Sequence, residues 1–227
     1  MQNIEKNLAD IRARIEAAAT RAGRDPATIS LLAVSKKKPH DDIRFAHGLG
    51  QTAFGENYLQ EALEKMQLLA DLNIEWHFIG AIQSNKTRSI AEAFDWVHCI
   101  DRLKIARRLS EQRPPDMPPI NACIQVNLDQ ESSKAGVAID EVAELAAGMR
   151  DLPGLRLRGL MTIPAPRTDF DEQRRAFARI AAALEPMQQL GIDCDTLSMG
   201  MTQDMEAAIA EGSTLLRIGT AIFGERA

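Results

Sequence analysis

The sequence predicts a (β/α)8 barrel with one extra N-terminal helix, a single domain over residues 1–227. Three observations predict it. Eight short apolar runs with strand character alternate with helical segments along 227 residues, against about 250 typical of that architecture. The first strand-to-helix turn, SKKKP, holds no glycine, whereas a doubly wound sheet, the runner-up arrangement, usually carries a glycine-rich first turn for nucleotides. The unusual polar clusters all fall at the C-terminal ends of the expected strands, where such barrels carry their chemistry.

Residues 3–22 place Ile4, Leu8, Ile11 and Ile15 between charged positions, an amphipathic helix ended near Gly23. Residues 31–34 are an apolar run flanked by Ser30 and Pro39, a short buried strand. Side chains alternate along a strand, so Leu32, Val34 and Lys36 share one face. Pro39 cannot donate to a ladder and holds Lys38 extended, so the strand stops near there with Lys36 last on its face. Helix is expected over 40–49, closed by Gly50, then a strand over 52–54 and a helix after Gly55. Strands at 75–80 and 95–100 alternate with helices at 84–94 and 103–112. The proline-rich PPDMPP, 114–119, is too short to separate two domains. A long strand over 119–128, a helix over 139–150, a strand over 155–163 and a helix over 170–190 follow. A short strand and loop at 194–200, a helix at 201–212 and a last strand at 214–224 running into a turn complete the alternation.

Composition narrows the function. Hydrophobic residues at 45% and charged residues at 26% are ordinary for a soluble globular protein. A net charge of -5 argues against an electrostatic nucleic-acid binder. The opening MQNIEKN is not a signal peptide and no apolar run is long enough to span a bilayer. Cys99, Cys123 and Cys194 are odd in number and far apart, which fits reduced thiols in a cytoplasmic protein without a CxxC pair.

Lys36 is the first candidate. A lysine where a buried strand opens to a loop can lose its proton by desolvation, and a neutral amine forms a Schiff base with a carbonyl. A solvated charge run over 36–38 is the plainer reading of that stretch alone. SMGMT and RIGT end the seventh and eighth strands, a recurrent phosphate position in barrels, served by backbone N–H groups and short hydroxyls. Alternatively Ser198 and Thr202 cap the following helix and Gly219 relieves a turn. Arg217 shares a face with Leu215 and Gly219. If Leu215 faces inward, Arg217 is an inward charge at the rim, or else a buried arginine paired with Asp204 or Glu225. His77 and His98 have no helical i, i+4 partner, and a strand-end histidine is more often just hydrogen-bonded, so no metal site is expected. Asn57, Asn85 and Asn127 end strands or begin loops, where each can orient a ligand or serve an Asx turn.

LLAVSKKKP, GENYLQE, WHFIGAIQSNK, GLMTI, SMGMTQDMEAAIAEGST and LRIGTAIFGER, in this order and spacing, resemble the pyridoxal phosphate homeostasis protein family across nearly the whole chain. The resemblance implies the barrel of alanine racemase without that enzyme's second domain, and pyridoxal 5'-phosphate as cofactor. It implies that Lys36 holds the cofactor as an internal aldimine. It further implies that Ser198, Gly219 and Thr220 cradle the phosphate, that Gly200 allows close backbone approach, and that Arg217 faces the pyridine nitrogen. Asn57, His77 and Asn85 match motif positions near the pocket.

Two classes of function remain. A racemase needs a second proton donor opposite the lysine, often a tyrosine from another domain, and Tyr58 is the sole tyrosine. A non-catalytic binder that buffers or delivers the cofactor needs none, and this is the expected function, with no appreciable turnover. A Schiff-base aldolase using Lys36 without the cofactor is a weaker alternative. The expected partners are the cofactor and, transiently, apoenzymes that use it. A cytoplasmic monomer with no nucleic-acid or membrane partner is expected.

Overall fold

The computed structural model describes residues 2–131 and 134–225, which leaves Arg226 of the LRIGTAIFGER motif outside the described residues. Eight parallel strands close in sequence order, the last pairing with the first. They are β1 (Ser30–Val34), β2 (Ala53–Glu56), β3 (Glu75–Phe78), β4 (Trp96–Ile100), β5 (Ile120–Val126), β6 (Leu155–Thr162), β7 (Thr196–Ser198) and β8 (Leu215–Ile218). The helices are α1 (Gln2–Arg21), α2 (His40–Gly48), α3 (Leu59–Leu68), α4 (Thr87–Ala93) and α5 (Leu103–Gln112). They continue as α6 (Val142–Met149), α7 (Phe170–Ala182), α8 (Glu185–Gln189), α9 (Met205–Ala210) and α10 (Thr220–Phe223). The expected barrel with its additional N-terminal helix is therefore present.

Alternation along the strands divides the interior into two regions. Outward-facing strand residues and the apolar stripes of the helices form one continuous core, with Phe54, Phe94, Ile100, Leu109 and Phe177 fully buried. Each such side chain contributes about 1.5–3 kcal/mol by leaving water. The inward faces instead carry Leu32, Gly55, His77, His98, Ser198 and Arg217. Leu32 lies in register with Arg217, and Gly55 with His77. An apolar shell thus surrounds a polar axis.

The extra helix closes the seam between β8 and β1. Asn7 on α1 donates to the Ile222 carbonyl at 2.9 Å, and Arg14 donates to the Thr202 carbonyl at 3.1 Å and to Glu206 at 2.8 Å. These bonds brace both segments that follow β7 and β8.

Four expected elements change. The helix expected over 170–190 divides into α7 and α8, because Pro186 has no N–H to give to a continuing helix and instead sits in the first turn of a new one. The helix expected over 201–212 starts only at Met205, since the Asp204 carboxylate takes the Met201 N–H at 2.6 Å and holds 201–204 as a turn. The turn after the last strand is the short helix α10. The first strand ends at Val34 rather than Lys36. Beyond it the Ser35 carbonyl accepts the Lys38 N–H at 3.0 Å, and Lys37 takes a left-handed φ of 59°. Face alternation therefore cannot be carried to Lys36. Among the described residues no helix is long and apolar enough to cross a membrane.

Candidate functional site

Lys36 sits half-buried in the turn that leaves β1, at the C-terminal mouth of the barrel. Its neighbours are fixed from several sides. The Ser35 N–H donates to the Gly55 carbonyl at 3.0 Å, and the Ser35 hydroxyl to Glu56 at 2.6 Å. Lys65 on α3 donates to the Ser35 carbonyl at 2.8 Å, to Glu56 at 2.7 Å and to Glu61 at 2.6 Å. Glu61 also accepts the Lys37 N–H. Lys65 and Glu56 are both buried, and burial pushes the Glu56 carboxyl above the usual range against the pull of Lys65. One buried cation and two carboxylates thus grip the peptide on either side of Lys36.

Arg217 forms the floor beneath that mouth. It is 5% exposed, and it donates to the Ser198 hydroxyl at 2.7 Å, to the Ser198 carbonyl and to the Thr162 carbonyl at 2.8 Å. Among the described residues no carboxylate oxygen lies within 4 Å of it, so neither pairing with Asp204 nor with Glu225 is realised as a direct ion pair. Burial lowers Arg217 to about 10, which leaves it cationic at neutral pH. Asp204 acts on it only through space and is itself raised by burial.

Ser198 departs from its expected place. Its hydroxyl turns into the barrel, fully buried, and meets His98 Nδ1 at 2.8 Å as well as Arg217. It is spent on the floor rather than presented to a phosphate at the rim. His77 lies deeper still, with Nδ1 2.9 Å from His98 Nε2 and Nε2 2.7 Å from Glu75. It stacks on Trp96, ring centroids 5.3 Å apart, and helps line a cavity of about 430 Å³ at the N-terminal mouth, opposite Lys36. Burial depresses both histidines, His98 strongly, with His77 and Arg217 adding repulsion there. For His98 the sequence offered a metal ligand or a merely hydrogen-bonded strand-end residue, and the structure shows it hydrogen-bonded at both ring nitrogens. Its alternation with Trp96 on a strand next to that of His77 was the available signal. Among the described residues no three His, Cys, Asp or Glu side chains are grouped to hold a metal ion.

The remaining candidates divide. Gly219 and Thr220 open the segment after β8, and a Cβ on Gly219 would lie 3.1 Å from the Val34 carbonyl, so the ends of β1 and β8 approach closely there. Gly200 is buried with φ +97°, and a Cβ would meet Ala208 at 2.6 Å and Leu216 at 2.7 Å. This protein's own packing and the positive φ already require glycine there. Asn57 has a buried Oδ1 without a hydrogen-bond partner among the described residues and lines a cavity with Tyr58, Gly80 and Lys86. Asn85 is exposed in the turn before α4. Asn127 is an internal brace, donating to the Glu131 and Lys134 carbonyls.

A closed parallel barrel with a lysine after its first strand and, on its last, an arginine with no carboxylate partner among the described residues defines the racemase-type barrel class. The sequence profile described as "Alanine racemase, N-terminal domain" matches residues 6–227. Within that class, the chain belongs to the pyridoxal phosphate homeostasis protein family. It is 58% identical over 226 residues to the pyridoxal phosphate homeostasis protein of Pseudomonas aeruginosa, covering 100% of this chain and 97% of that one. PipY of Synechococcus elongatus PCC7942 is 35% identical, with 97% of this chain and 100% of that chain covered. Its TM-score is 0.87 for the structure without PLP and 0.85 for the structure with PLP bound. Alanine racemase from Corynebacterium glutamicum shares the fold alone, at 18% identity and a TM-score of 0.71, with 60% of that chain covered.

Proposed function

We propose that the protein binds pyridoxal 5'-phosphate at the C-terminal mouth and acts in the homeostasis of that cofactor, not as an enzyme. The observation that carries this reading is that Lys36, on a turn gripped from several sides after β1, and Arg217, a buried cation that no carboxylate among the described residues neutralises directly, lie at neighbouring strands of the barrel. The residues fit the group. The mouth offers an amine and the floor a fixed positive charge. When bound, the cofactor supplies an aldehyde for reversible covalent exchange with amines.

Lys36 would hold it covalently. The phosphate would rest between the turn at 201–204 and the start of α10, on the N–H groups of Gly219 and Thr220 and the hydroxyls of Thr202 and Thr220. First-turn N–H groups of a helix have no partner within the helix. Ser198 is reassigned from the phosphate to Arg217. Arg217 would face the pyridine nitrogen, and a cation there disfavours a second proton. Each unit of depression costs the protonated ring about 1.4 kcal/mol. That weakens carbanion chemistry without blocking binding. His77 lies below the floor, and Asn85 has no assigned contact.

The whole chain acts as a single domain in this reading, a cytoplasmic monomer that hands its cofactor transiently to apoenzymes. Borohydride reduction of the cofactor-loaded protein followed by peptide mapping tests it, with the label expected on Lys36. A label on Lys37 or Lys38, or no visible absorbance from the loaded protein, would reject the site.

A further inference from the structure

The polar axis of the barrel is continuous from one mouth to the other. Glu75 opens β3 beside the N-terminal cavity with its side chain half exposed. From it the contacts run 2.7 Å to His77, 2.9 Å to His98, 2.8 Å to Ser198 and 2.7 Å to Arg217.

The polarity of this chain follows from its ends. The hydrogen bond from His77 holds the Glu75 carboxyl below the usual range, so Glu75 is ionised and only accepts. His77 Nε2 must then carry a hydrogen. A buried neutral ring has one N–H, so His77 Nδ1 accepts and His98 Nε2 donates. His98 Nδ1 accepts in turn, and the single Ser198 proton goes to it. The Ser198 lone pairs remain for Arg217, which only donates. Every assignment is forced by the one before it.

We propose that Glu75, His77, His98 and Ser198 form a single-polarity hydrogen-bond chain in which His77 and His98 are positioning residues for Arg217. The chain couples the N-terminal mouth to the cofactor floor. This rests on the reading of Arg217 as that floor. A proton taken up by His77 makes its Nδ1 a donor. His98 Nε2 must then accept and Nδ1 donate, so the Ser198 hydroxyl turns its proton away from His98 and accepts from both His98 and Arg217. The hydroxyl on which Arg217 rests is thereby reoriented, and its own buried proton loses the His98 acceptor. The charged and titratable neighbours of this axis are Glu75 on β3, Asp95 before β4, Cys123 on β5, Arg158 on β6, Asp195 before β7, and Asp204 and Arg217 at the far end. Arg158 is matched by Asp195 and lies over the Trp96 ring at 4.9 Å, so it adds little net charge at the N-terminal mouth.

The test is histidine-selective ¹⁵N NMR with the Glu75→Gln variant, which keeps the side chain's shape, leaves the cofactor mouth untouched and removes the obligatory acceptor. In the unsubstituted protein both rings should be neutral and protonated at Nε2 at pH 7.5, assigned by their loss in His77→Gln and His98→Gln. In Glu75→Gln the carboxamide can donate or accept, so both rings should become tautomer mixtures. The dissociation constant for pyridoxal phosphate, from equilibrium dialysis, should then rise about 5-fold. Unchanged tautomers and unchanged affinity in that variant would overturn the coupling, as would an Nδ1–H His98 in the unsubstituted protein. Correct tautomers in an unsubstituted protein that fails to bind pyridoxal phosphate would uphold the chain and overturn the cofactor reading instead.

Discussion

A serine hydroxyl has one proton and two lone pairs, and at Ser198 the proton serves an imidazole while a lone pair serves a guanidinium. Ser198→Ala leaves His98 Nδ1 buried without a donor and removes one acceptor from Arg217. The expected loss is about 1–3 kcal/mol of stability, read by urea denaturation of cofactor-free protein. A residue whose hydroxyl only met a phosphate would leave cofactor-free stability unchanged, so the measurement separates the two roles. SMGMT reads as one loop motif, which hid this. Alternation along Thr196, Leu197 and Ser198 was the better guide, since it sets Ser198 on the opposite face from the core-facing Leu197. The inward, buried placement of Arg217 was legible because a charge embedded in apolar strand sequence has few places to go. The direction of the Lys36 side chain was not legible, because the left-handed Lys37 ends the strand pattern before it.

Helix α3 shows how an ordinary-looking element carries an unusual load. Glu61 and Lys65 stand at i and i+4, which in sequence resembles an exposed pair worth a few tenths of a kcal/mol. Lys65 nevertheless lies on the same stripe as Ala62 and Leu69, both buried. The strand-end carboxylate of Glu56 faces that stripe, and an exposed pair becomes a buried triad. Lys65→Met should cost about 3–5 kcal/mol in chemical denaturation, because it leaves Glu56 buried without its cation. Lys65→Met combined with Glu56→Leu should recover much of that loss. A single-variant cost below about 1 kcal/mol would mean that the triad is not desolvated. The split at Pro186 was legible from the proline itself. The turn at 201–204 was not, since it depends on which backbone N–H the Asp204 carboxylate selects.

At the scale of the whole molecule, the alternation of eight apolar runs with helices was enough to give the closed barrel, because parallel neighbours require crossovers and each helix needs a face to cover. The polar axis was not legible, since its members come from four strands and meet only when the sheet closes. That axis also makes the fold sensitive to acid. His77 and His98 have folded pKa values lowered mainly by burial, against about 6.5 in an unfolded chain. Below that value the unfolded state binds more protons, so stability falls as pH falls. Between pH 7.5 and 5.5 the loss should approach but not exceed about 1.4 kcal/mol per ring. Glu56 and Asp204, raised by burial, act in the opposite direction just above the ordinary carboxylate range. Urea unfolding at the two pH values checks this, and a flat profile would contradict a neutral buried pair.

The bond from Asn7 to the Ile222 carbonyl spans 215 positions of sequence. On a ribosome adding about 5–20 residues per second, roughly 10–40 s pass between the making of its two ends. Throughout that interval the apolar stripe of α1, Ile4, Leu8, Ile11 and Ile15, has no α9 or α10 to cover it, and β1 has no β8 to pair with. The nascent chain must therefore be sheltered, by a chaperone or by transient contacts of its own, until nearly the last strand emerges. Arg217, Gly219 and Thr220 belong to that same late segment. The ring closes and the proposed cofactor mouth is completed in one event, so a half-made chain carries Lys36 without the floor and the phosphate seat that would complete its site.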